Sequence, residues 1–290
     1  MLFQINAKRM PCQSTRNSVY FAQSQYSDDM ATMHLLKIPG IVLLALLMPC
    51  TELVAQGTAG EKATIESRFL VDLPSAGVLS HGTMALDLDF YQSGGLLTSV
   101  SVGVFSRLLL GISFGGAGLI GSDHIDWNGS PGVTARLRVL DETFMLPAFA
   151  LGFDSQGKEK YVEPLHRYTI KSLGFYGVAS KNYRVAGYLA LHGGVNYSFE
   201  QDDGDADINV FAGAEKTLGS FLSFLAEYNL GMNDSNRDAL GRGRGYLNVG
   251  FKASLGGGLM LGFNLKDIIK NQDGMAIGNR TVRLEYVNHP

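Results

Sequence analysis

From Met84 onward, short segments in which apolar residues alternate with polar or small ones recur along the chain. Clusters of turn residues separate these segments. In the segment 222–230, the even-numbered positions are apolar or aromatic, whereas Ser223, Glu227 and Asn229 occupy odd-numbered positions. Successive side chains of a β-strand point to opposite faces, so a period of two residues predicts strands with one apolar and one polar face.

The alternation predicts twelve strands, and most are long enough for a tilted strand to cross the hydrocarbon layer of a membrane. Their approximate spans are 84–92, 96–105, 108–117, 132–140, 147–154, 172–182, 185–199, 207–216, 221–230, 245–254, 258–266 and 279–287.

Short and long links alternate between these strands, apart from a short first hairpin. Outer-membrane barrels have short periplasmic turns and longer external loops, so we expect both termini of the barrel on the periplasmic side. Two segments, 164–171 and 265–271, are interpreted as short helical turns at a rim.

These features predict an all-β fold, namely a closed antiparallel up-and-down transmembrane β-barrel of about 12 strands over residues 84–290. Lipid offers no hydrogen bonds to a free sheet edge, so such a sheet must close on itself. A secreted soluble β-sandwich or barrel is the alternative, in which the apolar face would pack inside the protein.

An apolar run at 38–48 follows Lys37 and has the length of a signal-peptide core, too short for a membrane-spanning helix. We therefore predict a signal peptide at 33–55, a mis-assigned N-terminal extension at 1–32 and an N-terminal periplasmic segment at 56–83. A short buried helix is the alternative for the apolar run. Cleavage after Ala55 would remove both cysteines, Cys12 and Cys50, and with them any disulfide or cysteine metal site.

Composition narrows the class of protein further. Charged residues make up 18% of the chain, and the net charge is −3, which argues against a disordered chain and against nucleic-acid binding. With 36 glycines among 290 residues but no three-residue period, a collagen-like chain is excluded. We expect no nucleic-acid partner and no cofactor.

If the apolar face meets lipid, the charged side chains of the opposite face line the lumen. Opposite charges in such a narrow space are expected to pair across it, because an unpaired buried charge is costly. Two interpretations follow: the charges hold the barrel together, or they line a pathway for a solute or ion. The predicted lumen charge network consists of Asp87, Asp89, Arg136, Arg138, Glu227, Lys252, Arg283 and Glu285.

No catalytic or metal-ligating residues are assigned. His192, Asn196 and Ser198 share one face of a predicted strand, and a hydrolase would need such groups in mutual contact near the lipid-facing rim. A lumen histidine with satisfied hydrogen bonds is the preferred interpretation. The acidic segments 202–207 and 233–238 offer oxygen ligands for Ca²⁺ but lack EF-hand spacing, so solvated acidic loops are expected.

Four phrases of the sequence together resemble the YjbH-like group of bacterial outer-membrane barrel proteins. They are DLPSAG at 72–77, PGV at 131–133 followed by RLR at 136–138, the stretch from Pro147 to Gly157, and HGGVNYS at 192–198. The resemblance spans about residues 65 to 287. It implies an outer-membrane β-barrel linked to exopolysaccharide-related genes, without established activity or catalytic residues.

The sequence therefore predicts a non-enzymatic protein of the bacterial outer membrane, with an accessory role in exopolysaccharide secretion or envelope integrity. A porin-like channel for small solutes is the alternative, and a barrel-embedded lipid hydrolase is a third candidate. The expected partners are the lipid bilayer, the outer-membrane assembly machinery and polysaccharide-secretion proteins.

Overall fold

A computed structural model describes residues 65–121, 124–236, 238–272 and 278–288. The predicted extension at 1–32, the predicted signal peptide at 33–55 and both cysteines lie outside the described residues. Within the described ranges, no helix is both long and apolar enough to cross a bilayer.

The described chain consists of fifteen strands and one 3-10 turn at Glu163–Leu165. The strands are β1 (Met84–Tyr91), β2 (Gly95–Val104), β3 (Leu108–Ala117), β4 (Asp126–Trp127), β5 (Gly132–Leu140), β6 (Ala148–Asp154), β7 (Lys158–Val162), β8 (Arg167–Ile170), β9 (Gly174–Arg184), β10 (Tyr188–Tyr197), β11 (Asn209–Leu218), β12 (Leu222–Asn229), β13 (Tyr246–Gly256), β14 (Leu259–Lys266) and β15 (Asn279–Asn288).

Twelve of these strands form a closed antiparallel barrel, which confirms the predicted fold. Each strand pairs with its neighbour in the chain once β4, β7 and β8 are set aside, and β1 closes the ring by pairing with β15. Met84 lies opposite Asn288 in this closing pair, and the register continues to Phe90 opposite Val282. No edge of the barrel sheet is therefore left without a hydrogen-bonded neighbour.

The two ends of the barrel differ in the length of their connections. The links 105–107, 141–147, 185–187, 219–221 and 257–258 lie at the end where β1 begins and β15 ends, which we call the short-turn end. The opposite, long-loop end carries the links 92–94, 118–131, 155–173, 198–208, 230–245 and 267–278.

The predicted helical turns are wrong, apart from Pro164 and Leu165, which belong to the 3-10 turn. In the first segment, the 3-10 turn ends at His166, whose φ of 45° stops the helix. The chain then enters β8, which pairs with β7 in a two-stranded hairpin. In the second segment, β14 continues to Lys266 and a turn follows. Tertiary pairing here overrides a weak local preference.

The outer face of the barrel is apolar over its whole height. Ile112, Val195, Phe251 and Phe263, which belong to four different strands, are all exposed outside the ring. Exposed apolar residues also stand at or beside most short turns, as Phe105 does. An apolar surface of this extent is typical of contact with a membrane.

Part of the segment predicted to be periplasmic lies inside the barrel instead. Residues 66–79, which we call the plug, enter the lumen from the short-turn end and return to it as a hairpin. The Leu70 N–H donates to the Leu73 carbonyl at 2.9 Å and closes the tip of this hairpin. Every residue from Leu70 to Leu79 is buried. The apolar and charged groups of the plug find their partners on the lumen wall, which explains this placement.

Candidate functional site

The inward leg of the plug is held by a buried arginine. Arg68 makes two hydrogen bonds to Asp87 of β1, at 2.6 and 2.9 Å, and lies 3.4 Å from Glu285 of β15. The Arg68 carbonyl accepts a hydrogen bond from Arg136 of β5 at 2.8 Å. Because the Arg68 side chain is almost fully buried, its charge depends on these carboxylates for stabilisation.

The tip of the plug is hydrogen-bonded to Glu227 of β12. Its carboxylate accepts hydrogen bonds from the backbone N–H groups of Val71, Asp72 and Leu73, each at 3.0 Å. The Asp72 carboxylate in turn lies 2.9 Å from Lys266 of β14. One wall carboxylate thus satisfies three successive amides that would otherwise be buried without partners.

Two further basic side chains of the barrel wall donate hydrogen bonds to carbonyl groups of the plug. Lys252 of β13 donates to the Phe69 carbonyl at 3.2 Å and lies 3.0 Å from Glu285. Arg283 of β15 donates to the Val71 carbonyl at 2.8 Å and forms an ion pair with Asp89.

The outward leg of the plug runs beside β5 and β9. Arg138 pairs with Glu66 and donates to the Ala76 carbonyl at 2.8 Å, while Ser180 accepts a hydrogen bond from the Ala76 N–H at 2.8 Å. The two legs approach closely at Gly77, where an added Cβ would lie 2.1 Å from the Ser67 carbonyl oxygen. A larger residue than glycine could not occupy this position without separating the legs.

All eight residues of the predicted lumen network lie on the lumen side; seven of them contact the plug directly, and Asp89 contacts Arg283, which binds the Val71 carbonyl. The prediction that they pair across the lumen describes only part of the arrangement, because the plug stands between most of them. The sequence reasoning missed the plug residues that complete the network, namely Glu66, Arg68 and Asp72. A signal for them existed: charged residues interrupt an otherwise apolar stretch directly before the first strand.

The plug meets one side of the wall through apolar groups. Leu73 and Ala76 of the plug belong to one buried cluster with Tyr176, Val178 and Phe211, on β9 and β11. We call this cluster the apolar constriction. It fills the space between the plug and the side of the wall formed by β9 and β11.

A cavity of about 250 Å³ lies below the constriction, towards the short-turn end. Its lining comes from the plug, from β5, β6, β9, β10 and β11, and from the link 141–147, and it is rich in polar groups. The polar lining residues are Glu66, Ser67, Ser75, Arg138, Asp141, Glu142, Ser180, Asn182, Tyr188, His192, Glu215 and Thr217.

The plug closes the lumen from the short-turn end, and a second closure, which we call the cap, covers the long-loop end. It consists of the β7–β8 hairpin and the loops 198–208 and 230–245. Arg167 of β8 donates to Asp203 at 2.5 Å and to Asp234 at 2.6 Å, and all three side chains are buried. Burial alone would lower the pKa of Arg167, but the two carboxylates raise it above its usual value.

Other buried groups complete the cap. Glu200 accepts hydrogen bonds from the amides of Tyr168 and Ser172 at 2.9 and 3.1 Å. Burial nevertheless raises the pKa of the Glu200 carboxyl, and burial also raises the pKa of the Tyr168 phenol to about 12. Lys266 touches both closures, because it lies 3.2 Å from Glu159 of the cap as well as close to the plug.

The candidate hydrolase residues do not form a catalytic group. His192 Nδ1 lies 2.8 Å from Ser180, not from Ser198, whose hydroxyl accepts the Glu200 N–H. Asn196 donates instead to the Leu173 carbonyl at 3.0 Å.

The acidic segments are not simply solvated loops. Asp203, Asp205 and Asp234 are buried, and each accepts hydrogen bonds within the cap. Among the described residues, no group of three or more acidic, histidine or cysteine side chains is arranged to hold a metal ion.

No protein-family model matches the chain, and no curated protein matches it. Among solved structures, the chain is similar to the crystal structure of the COG4313 outer membrane channel from Pseudomonas putida F1, with 14% sequence identity and a TM-score of 0.36. The match covers 75% of this chain and 99% of that chain. A similarity at this level assigns no ligand or activity to the chain.

Proposed function

We propose that the protein is a channel of the bacterial outer membrane for small polar solutes, and that the plug closes it. The apolar outer face supports a membrane location, since a ring of exposed Ile, Val, Leu and Phe side chains would be unfavourable in water. Of the two bacterial membranes, the outer one is where such barrels occur.

The polar lumen supports a route for solutes rather than a purely structural core. Charged wall residues such as Arg136, Glu227 and Lys252 are buried only because the plug covers them. If the barrel served only as a scaffold, apolar side chains could fill the lumen without the cost of desolvating so many charges.

The observation that carries the proposal is the path of the plug. Glu66, on its inward leg, pairs with Arg138 near the end of β5, and Gly82, just after its outward leg, donates to the Gly103 carbonyl near the end of β2. Both β5 and β2 finish at the short-turn end. A hairpin whose two legs leave by one end can withdraw without being threaded through the barrel.

The contacts of the plug are also suited to withdrawal. Most of its polar contacts are charge-assisted hydrogen bonds, such as those that Glu227 accepts from the tip amides, and water can replace them once the lumen is hydrated. The charged wall would then surround an aqueous passage.

The test is the conductance of purified protein in planar lipid bilayers. Glu227→Ala removes the acceptor of three tip amides, so we expect more frequent and longer openings than in the wild type. Glu163→Ala changes an exposed glutamate of the cap region and serves as the matched control. Heat-modifiable migration on gels would verify that both variants form barrels. A folded Glu227→Ala variant that is as silent as its control would contradict the proposal.

The resemblance to the YjbH-like group, and the accessory role in exopolysaccharide secretion that it implies, stay predictions.

A further inference from the structure

Lys266 of β14 is shared between the plug and the cap. Its Nζ lies 2.9 Å from Asp72 Oδ1 at the tip of the plug and 3.2 Å from Glu159 Oε1 of β7. All three side chains are buried. Within the described part of the chain, Asp72 and Glu159 are the two carboxylates at ion-pair distance from Lys266. One buried ammonium group therefore balances one carboxylate from each closure.

The two carboxylates compete for this ammonium group. Burial raises the pKa of the Glu159 carboxyl; Lys266 opposes that shift, and the negative charge of Asp72 adds to it. Asp72 and Glu159 therefore repel each other while both bind Lys266. As a result, Lys266 holds the plug less strongly than it would if Glu159 were absent.

Lys266 differs in its partners from two other basic side chains beside the tip. Arg283 pairs with Asp89 and Lys252 pairs with Glu285, so both would keep a carboxylate of the barrel wall if the plug left. Among the described residues, Lys266 has no ion-pair partner on the wall, and its second carboxylate comes from the cap. A buried cation that loses its counter-charge is strongly destabilising, so this second carboxylate matters most once the plug has left.

We propose that Glu159 is the alternative partner of Lys266 and thereby makes withdrawal of the plug easier. In the closed state the ammonium group is shared, and after Asp72 has left, Glu159 neutralises it alone. The inference rests on the proposed withdrawal of the plug and names a residue of the cap that regulates it. The cap itself does not have to move.

Hydrogen exchange of the tip amides tests the inference on the full barrel in detergent micelles. The amides of residues 71–73 are bound by Glu227, so they exchange when the tip leaves its place. Glu159→Gln leaves Lys266 to Asp72 alone. We therefore expect these amides to exchange about fivefold more slowly than in the wild type, at the lower end of the range that is typical of coupled sites.

The direction of this change separates the inference from a purely structural role of Glu159. If Glu159 only held the cap together, its loss would loosen the neighbouring contacts and the tip amides would exchange faster. Glu163→Gln changes an exposed glutamate of the cap region and is the matched control, which should leave exchange at the tip unchanged. Faster or unchanged exchange in a folded Glu159→Gln variant, compared with this control, would overturn the inference.

Asp72→Asn completes a double-mutant cycle. Alone it should speed exchange at the tip, because the plug loses its ion pair with Lys266. In the Asp72→Asn background, Glu159→Gln should no longer slow exchange, since no carboxylate of the plug tip remains to gain the ammonium group. Equal slowing in both backgrounds would show that Glu159 does not act through Lys266, and the inference would be wrong. If the double variant does not fold, Glu159→Gln alone still decides the matter.

The outcome is distinguishable from that of the channel proposal, because hydrogen exchange requires no conductance. Slower exchange in Glu159→Gln together with a silent Glu227→Ala variant would keep the role of Glu159 and remove the channel. Openings in Glu227→Ala together with unchanged exchange in Glu159→Gln would keep the channel and remove the role of Glu159.

Discussion

The plug and the cap close opposite ends of one lumen, but they are attached in different ways. The plug is held mainly by wall side chains that bind its backbone, as Glu227 binds three tip amides and Arg136 binds two carbonyls. The cap is held by side chains of loops that bind one another, as Arg167 joins Asp203 and Asp234.

This difference indicates which closure can move. We expect the wall to keep its shape if the plug leaves, because residues 66–79 are not part of the hydrogen-bonded strands of the barrel. The loops of the cap have no such independent framework, so loss of Arg167 would disorganise all of them together. We therefore expect the plug to control passage and the cap to maintain the structure of the long-loop end.

Among the changes considered, deletion of residues 66–79 should have the largest effect on conductance. The charged wall would become hydrated, and we expect long-lived openings in planar bilayers where the wild type is closed for most of the time. Heat-modifiable migration of the shortened chain would confirm that the barrel still forms. A folded but silent deletion variant would mean that the cap alone seals the lumen.

Arg167→Leu should affect the cap without opening the channel. Removing one partner of a buried ion pair costs roughly 3–5 kcal/mol, because Asp234 would lose its cation and Asp203 would keep only Lys171 as a counter-charge. Hydrogen exchange of the amides at 200–207 and 230–236 should become faster, while conductance stays at the wild-type level. Openings as frequent as in Glu227→Ala would show instead that the cap is part of the gate.

The prediction of the strands succeeded where the environment imposes a strict pattern. Along β12, apolar positions such as Phe224 and Tyr228 alternate with Ser223 and Glu227, because one face meets the exterior and the other the lumen. Such a contrast is local and can be read from a few residues.

The plug and the cap could not be predicted in this way. Arg68 and Glu285 are 217 residues apart in the chain, and no period marks the segment that contains Arg68. In the cap, Arg167 meets partners from two other loops, a contact that only the closed ring brings about. The predicted lumen charges were therefore identified without the segment that most of them bind.

A smaller effect, on pH dependence, should be confined to the cap. The pKa of Glu200 is raised in the folded protein, so its contribution to stability is present below the usual glutamate pKa and is lost as the pH rises through the raised value. Glu200→Gln, which is neutral at every pH, should gain in melting temperature relative to the wild type as the pH rises above the usual glutamate pKa of about 4.3. A difference in melting temperature that does not change with pH would exclude this role for Glu200.

The most direct test of the account is a reversible lock on the plug. Ala76 and Ser180 are in hydrogen-bonding contact across the plug and β9, and the described residues contain no cysteine that could interfere. We would place Ala76→Cys and Ser180→Cys together in the Glu227→Ala background and record planar-bilayer conductance before and after reduction. The account predicts silence while the disulfide is intact and openings after reduction. Equal conductance in the oxidised and reduced states, with the disulfide verified by mass spectrometry, would contradict the claim that residues 66–79 close the lumen.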